Sequence, residues 1–277
     1  MTILLLFIFL LGLTVGSFLN VCIYRIPQGE SIVFPNSHCP HCGHAIRPYD
    51  NVPIISFLVL KGKCRTCGAK ISWQYPLVEL LTATLFTETF ARIGMDVRTG
   101  VLWIFFSAII VLIVVDLRAR ILPNGITLPL TLVGLIFSLI RPVGDGTARS
   151  LLGLFSWTVS NLRLLSLLDS LIGTLVCGGF LWLVAEAFFR IRKIEGLGFG
   201  DIKLMGMVGA FLGLKLALFT IMLGSLLGAI IGYAFIKLTG KDNRYELPFG
   251  SFLGVAAIIA ALWGREILEW YFNLHRF

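Results

Sequence analysis

The chain has 277 residues, of which 57% are hydrophobic and 14% charged, and its mean hydropathy is +0.91. These values exclude an ordinary soluble domain and place the chain in a membrane. The net charge of +8 sits at the ends of apolar runs rather than in one stripe, which argues against a nucleic-acid partner.

Runs long enough for a hydrocarbon core of roughly 30 Å begin near Thr2, Leu77, Val101, Ile126, Leu171, Ile202, Lys215 and Gly250. The expected fold is an all-α polytopic membrane protein of about eight transmembrane helices. Seven is the alternative, because the run from Ile202 is short and merges into the next. The first segment, residues 1–24, has no basic leader and no small-residue cleavage site after it, so it reads as a retained first transmembrane helix.

The segment 25–75 follows as a polar insert, and 76–277 forms the rest of the membrane core. With alternating crossings, placing the insert in the cytoplasm puts 15 of the 23 Lys and Arg on the inner side. Positive charge favours that side and its anionic lipids. The insert and the inner helix ends are therefore expected at the cytoplasmic face.

Within the insert, Cys39 and Cys42 form one CxxC and Cys64 and Cys67 a second. Two such knuckles present four thiolates to one tetrahedral zinc, and CxxC pairs in a reducing compartment are metal sites more often than disulfides. Gly43 and Gly68 each follow a knuckle, where a tight turn brings backbone amides to the sulfurs. A closed four-cysteine site has no open coordination position, so its expected role is structural. His38, His41 and His44 are surplus as ligands, and Cys22 and Cys177 read as small buried apolar residues.

Charges inside the apolar runs are few. Asp116 closes "VLWIFFSAIIVLIVVD" and is followed by "LRARILPN"; Asp201 opens "IKLMGMVGAFLG" after the glycine-rich "GLGFG". In the expected topology both aspartates reach the same cytoplasmic depth. Two carboxyls a few ångströms apart resist ionising together and hold one proton between them, which supports general acid and general base chemistry. Gly196, Gly198 and Gly200 would clear space for a substrate backbone or for the partner aspartate. Each aspartate also has a plainer reading: Asp116 as a helix-end group paired with Arg118 or Arg120, and Asp201 as a helix N-terminal acid near Lys203.

Together, "GSFLNVCIYRIP" at 16–27, the paired CxxC, "YPLVELLTA" at 75–83, Asp116 with "ILPN", "GLGFGDIKLM" at 196–205 and "ELPFGSFL" at 246–253 resemble the bacterial type IV prepilin leader peptidases, which also N-methylate the mature pilin. The resemblance covers most of the chain. It implies an aspartyl peptidase with Asp116 and Asp201 as the catalytic pair, Gly198 and Gly200 in the GxGD turn, and zinc on the four cysteines.

It further implies prepilin or pseudopilin substrates, cleaved after a glycine at the cytoplasmic face of the inner membrane. Methylation of the new N-terminus, with S-adenosylmethionine as donor, would follow. No dinucleotide-type fingerprint supports that second step. Gly62 falls where the family has a glycine linked to methylation, and Glu79 is a second candidate, with a structural carboxylate paired to a nearby base as the alternative.

Ser251 stands where many relatives have proline, in a segment expected to be a supporting turn. The stretch 141–169 is longer than a minimal family loop and reads as an amphipathic helix on the outer surface, with a ninth, partial insertion as the alternative. A non-enzymatic transporter or scaffold, using the two aspartates for cations or protons, is the competing function. A presenilin-like enzyme is disfavoured, because "ELPFGS" replaces that group's Pro-Ala-Leu element.

Overall fold

A computed structural model describes residues 2–140, 143–154, 156, 159–193, 197–239 and 247–274. These form helices joined by turns, and the only strand-like pairings among the described residues are two isolated bridges within the insert. The chain divides into two compact units, Met1–Val115 and Asp116–Phe277.

In the first unit α1 (Thr2–Arg25) packs along α3 (Gln74–Ile93). A methyl group on Gly12 would come 2.5 Å from Ala83 Cα, and one on Gly16 would come 2.6 Å from Glu79 Cα. Glycines one turn apart thus bring the two backbones into contact, and the falling partner numbers make the helices antiparallel. Asn20 extends the seam, donating to Tyr75 O while its own Oδ1 accepts from Gln74 Nε2.

Helix α4 (Val97–Ala119) joins through Trp103, which stacks on Phe86 at 4.7 Å and donates to Phe86 O. Its last turn, from Asp116 on, belongs to the second unit. Between α1 and α3 the described elements of the insert are two 3₁₀ turns (Ile26–Gln28 and Pro48–Asp50) and the short α2 (Ile55–Val59).

The second unit is built around α8 (Phe199–Thr239). Leu204, Met205, Met207, Val208, Ala210 and Ala217 on it are fully buried. It packs on α5 (Asn124–Ile140), α7 (Leu162–Arg192) and α9 (Phe249–Leu274). The α7 contact is backbone on backbone: a Cβ on Gly209 would lie 2.3 Å from Gly173 C.

At Gly213, φ is 78° and ψ −178°, a conformation that only glycine adopts without strain. There the helix breaks into two arms, residues 199–212 and 214–239. A straight helix of this length would span about 60 Å, twice the hydrocarbon core.

Seven of the eight expected starts fall within four residues of the starts of α1, α3, α4, α5, the two arms of α8, and α9, whereas the expected start at Leu171 lies nine residues inside α7. Among the described residues, five helices are long and apolar enough to cross a membrane: α1, α4, α7, α8 and α9. Helix α5 has 17 residues and α3 is less apolar, so neither meets that standard alone.

The stretch 141–169 differs from the single amphipathic helix expected of it. Its described part forms α6 (Thr147–Leu154), while 162–169 is the opening of α7. Residues 141, 142, 155, 157 and 158 lie outside the described residues. The division has a physical cause in Asp169, buried on α7, whose carboxylate accepts from Gly146 N (3.1 Å) and Ala148 N (2.6 Å) at the start of α6. That side chain supplies the N-terminal cap that the short helix lacks in its own sequence.

Candidate active site and metal centre

Asp116 comes from the end of α4 and Asp201 from the first turn of α8, and both side chains are buried. Their meeting point is Gly250, at the start of α9. A Cβ there would lie 2.9 Å from Asp201 Oδ1 and 3.1 Å from Asp116 Oδ2. The two oxygens are therefore no more than about 6 Å apart, within the range where neighbouring carboxyls interact strongly.

The motifs around the aspartates interlock. Leu122 of "ILPN" fills the space above Gly200 and Gly250, where added methyl groups would come 2.9 Å from its Cβ and 2.8 Å from its Cδ1 respectively. Asn124, the first residue of α5, accepts from Lys203 Nζ at 2.7 Å. The "ILPN" segment is thus tied to the GxGD turn by packing and by a hydrogen bond.

Gly200 makes room for Leu122 rather than for open space. Gly198 lies beside Asp201 itself: its carbonyl accepts the Asp201 N–H at 3.0 Å, and a Cβ on it would be 3.4 Å from Asp201 Oδ2. Gly196 lies outside the described residues.

The Lys203 ammonium is directed to Asn124 and lies over the Phe199 ring at 4.7 Å. Asp116 Oδ2 accepts two short hydrogen bonds, from Ser251 N at 2.7 Å and Ser251 Oγ at 2.8 Å. Ser251 was expected only in a supporting turn. Its uncharged side chain and a separation of 135 residues left no sequence pattern linking it to Asp116.

The four cysteines of the insert also converge. The Sγ atoms of Cys39, Cys42, Cys64 and Cys67 lie within 4.8 Å of one another, and Cys39 to Cys67 is 3.9 Å. Sulfurs around a tetrahedral zinc sit about 3.8 Å apart, given Zn–S bonds near 2.3 Å. The set therefore fits a metal ion of that kind.

The knuckles are built alike, 25 positions apart. Cys39 N bonds His44 O as Cys64 N bonds Ala69 O, and Gly43 N bonds Cys39 O as Gly68 N bonds Cys64 O. Ile46 N bonds Ser37 O as Ile71 N bonds Gly62 O. Gly43 and Gly68 have φ of 67° and 70°, the left-handed turn that folds each amide back. Backbone amides of Cys67 and then Thr66 bring the Cys64 thiol down to about 7, while the neighbouring Cys67 thiol is pushed up to about 11, as happens when crowded thiols cannot all ionise together.

Gly62 and Glu79 bracket α2. Gly62 has φ of 66°, and a Cβ on it would lie 3.2 Å from the Phe57 ring. Glu79 is buried against α1, and its Oε2 accepts from Ile54 N at 2.7 Å. It holds the backbone of the insert at a non-glycine residue of positive φ, 60°. That contact is with a main-chain amide rather than with the basic side chain of the structural alternative.

Two family models match the chain. Residues 10–93 match the model of the bacterial peptidase A24 N-terminal domain, and residues 103–233 match that of the type IV leader peptidase family. A prepilin leader peptidase/N-methyltransferase of Pseudomonas aeruginosa is 35% identical over 97% of this chain and 93% of its own length.

The chain belongs to the type IV leader peptidase family. Proteins of the same description from Aeromonas hydrophila, 35% identical over 95% of this chain and 92% of their own, and from Myxococcus xanthus, 37% identical over 88% and 68%, extend the range of these leader peptidase relatives. No solved structure matches.

Proposed function

We propose that this leader peptidase family member hydrolyses the peptide bond between the basic leader and the apolar mature segment of type IV prepilins or pseudopilins, with Asp116 and Asp201 as the catalytic pair. The observation that carries the reading is the convergence of the two carboxylates on Gly250, with Leu122 and Asn124 of "ILPN" locked against the GxGD turn.

In this reaction the ionised carboxyl takes a proton from water as the water oxygen bonds to the scissile carbonyl carbon. The protonated carboxyl hydrogen-bonds the carbonyl oxygen and then gives its proton to the leaving nitrogen as the C–N bond breaks and the amine departs. A glycine before the cut eases local unwinding of the substrate helix, whose hydrogen bonds otherwise shield the bond. The chain is multi-pass; the reading adds eight crossings, with the insert and the aspartates at the cytoplasmic face of the inner membrane.

The proposal includes zinc on Cys39, Cys42, Cys64 and Cys67, cross-linking the two knuckles so that the insert holds its fold. It also includes N-methylation of the newly exposed residue, for which S-adenosylmethionine supplies the methyl group. Gly62 and Glu79 are assigned to that step by the resemblance, and their contacts place them around α2. The relatives' description as leader peptidase/N-methyltransferases supports both activities.

The decisive experiment incubates the purified full chain in detergent with a prepilin peptide, with and without S-adenosylmethionine, and weighs the products. Cleavage without the methyl donor and a gain of one methyl group with it are expected. Intact peptide, together with pH-driven ion flux in vesicles, would favour the transporter reading.

A further inference from the structure

The two aspartates are not equivalent in their surroundings. Asp116 Oδ2 receives both donors of one residue, the backbone N–H and the hydroxyl of Ser251, at 2.7 and 2.8 Å. At the Asp201 carboxyl the neighbour in its own turn is Gly198, where a Cβ would lie 3.4 Å from Oδ2.

Ser251 is the third residue of α9, so its N–H belongs to the first-turn amides without an i−4 partner inside the helix; beside its 2.7 Å bond to Asp116 it reaches only the more distant Pro248 O, at 3.2 Å. Such amides carry the positive end of the helix dipole and favour an anion. Hydrogen bonds to an ionised oxygen are shorter and stronger than neutral ones.

We infer that Ser251 is a positioning residue for the hydrolysis, fixing Asp116 as an acceptor through Oδ2 and leaving Oδ1 as the oxygen that meets water. An oxygen occupied by two donors has no place for the shared proton, so that proton stays off Oδ2. Gly250 completes the arrangement. With no side chain between the carboxylates, α9 delivers its amide to Asp116 without entering the space between the pair.

This inference rests on the catalytic assignment of Asp116 and Asp201, and the test separates the two. Initial rates of prepilin-peptide cleavage by the full chain in detergent are measured for wild type, Ser251→Ala, Ser251→Thr and Ser251→Cys, beside Asp116→Asn and Asp201→Asn. Loss of a hydrogen bond to a charged group lowers kcat about tenfold in Ser251→Ala, with KM unchanged. Ser251→Thr, which keeps the hydroxyl, returns kcat to near wild type. Ser251→Cys, a weak donor of similar size, falls between them and serves if the alanine variant does not fold.

Wild-type kcat in Ser251→Ala, a change confined to KM, or a threonine variant as slow as alanine overturns the inference while the aspartate assignment stands. Cleavage by either Asn variant at the wild-type rate instead removes the reading beneath it.

Discussion

The cysteine insert and the aspartate site are both four-residue problems solved on different scales. In the insert, each knuckle closes within ten residues, 37–46 and 62–71, and the same hydrogen bonds recur in both. Around the aspartates, Asp116, Leu122, Asp201 and Ser251 come from three helices and a connecting loop spread over 135 residues. A motif that folds locally can be read from spacing, whereas a site assembled by helix packing shows only its charged members.

The largest expected effect strikes the assembled site. Asp116→Asn and Asp201→Asn each lower leader cleavage about a thousand-fold or more, while the melting temperature in detergent stays near wild type. An active variant would show that the convergence of the two carboxylates is not catalytic.

Next comes Gly250→Ala. The added methyl group would stand 2.9 Å from one carboxylate and 3.1 Å from the other, too close for both to keep their places, and misplacing reacting groups by up to about 1 Å costs as much as about a hundred-fold in rate. Initial rates at saturating peptide measure the loss, and a rate close to wild type would mean that the space between the aspartates is not needed.

The insert should respond in the opposite manner. Cys39→Ser or Cys64→Ser is expected to abolish stoichiometric zinc, read by metal analysis of the purified chain, because a structural site needs all four ligands. Cleavage should fall less than in Gly250→Ala. If the cysteine variants retain zinc, the knuckle geometry does not define the metal site.

The smallest effect is expected at the bend of α8. In Gly213→Ala the left-handed φ of 78° is strained by about 1–3 kcal/mol, and the new Cβ meets Asp145 at 2.9 Å. A melting temperature lower by about 5 °C, with kcat within a fewfold of wild type, separates this structural glycine from Gly250.

Much of the chain was legible before any coordinates. Apolar run length marked the helices because a chain in hydrocarbon must satisfy its backbone internally. The start of α7 was displaced by nine residues, from Leu162 to Leu171, because the cap that Asp169 provides to α6 is a tertiary contact that periodicity does not register. Glu79 shows the same limit: its carboxylate was visible, but its partner, the amide of Ile54, was not.

By itself the sequence determined the membrane character, the two knuckles and the two aspartates, since each depends on composition or on spacing over a few residues. Only the tertiary structure decided that Leu122 seats over Gly200 and Gly250, that Lys203 turns to Asn124, and that Ser251 places both its donors on Asp116. Those contacts join residues far apart along the chain and involve groups without distinctive charge or period. Their chemistry arises from proximity, which helix packing creates.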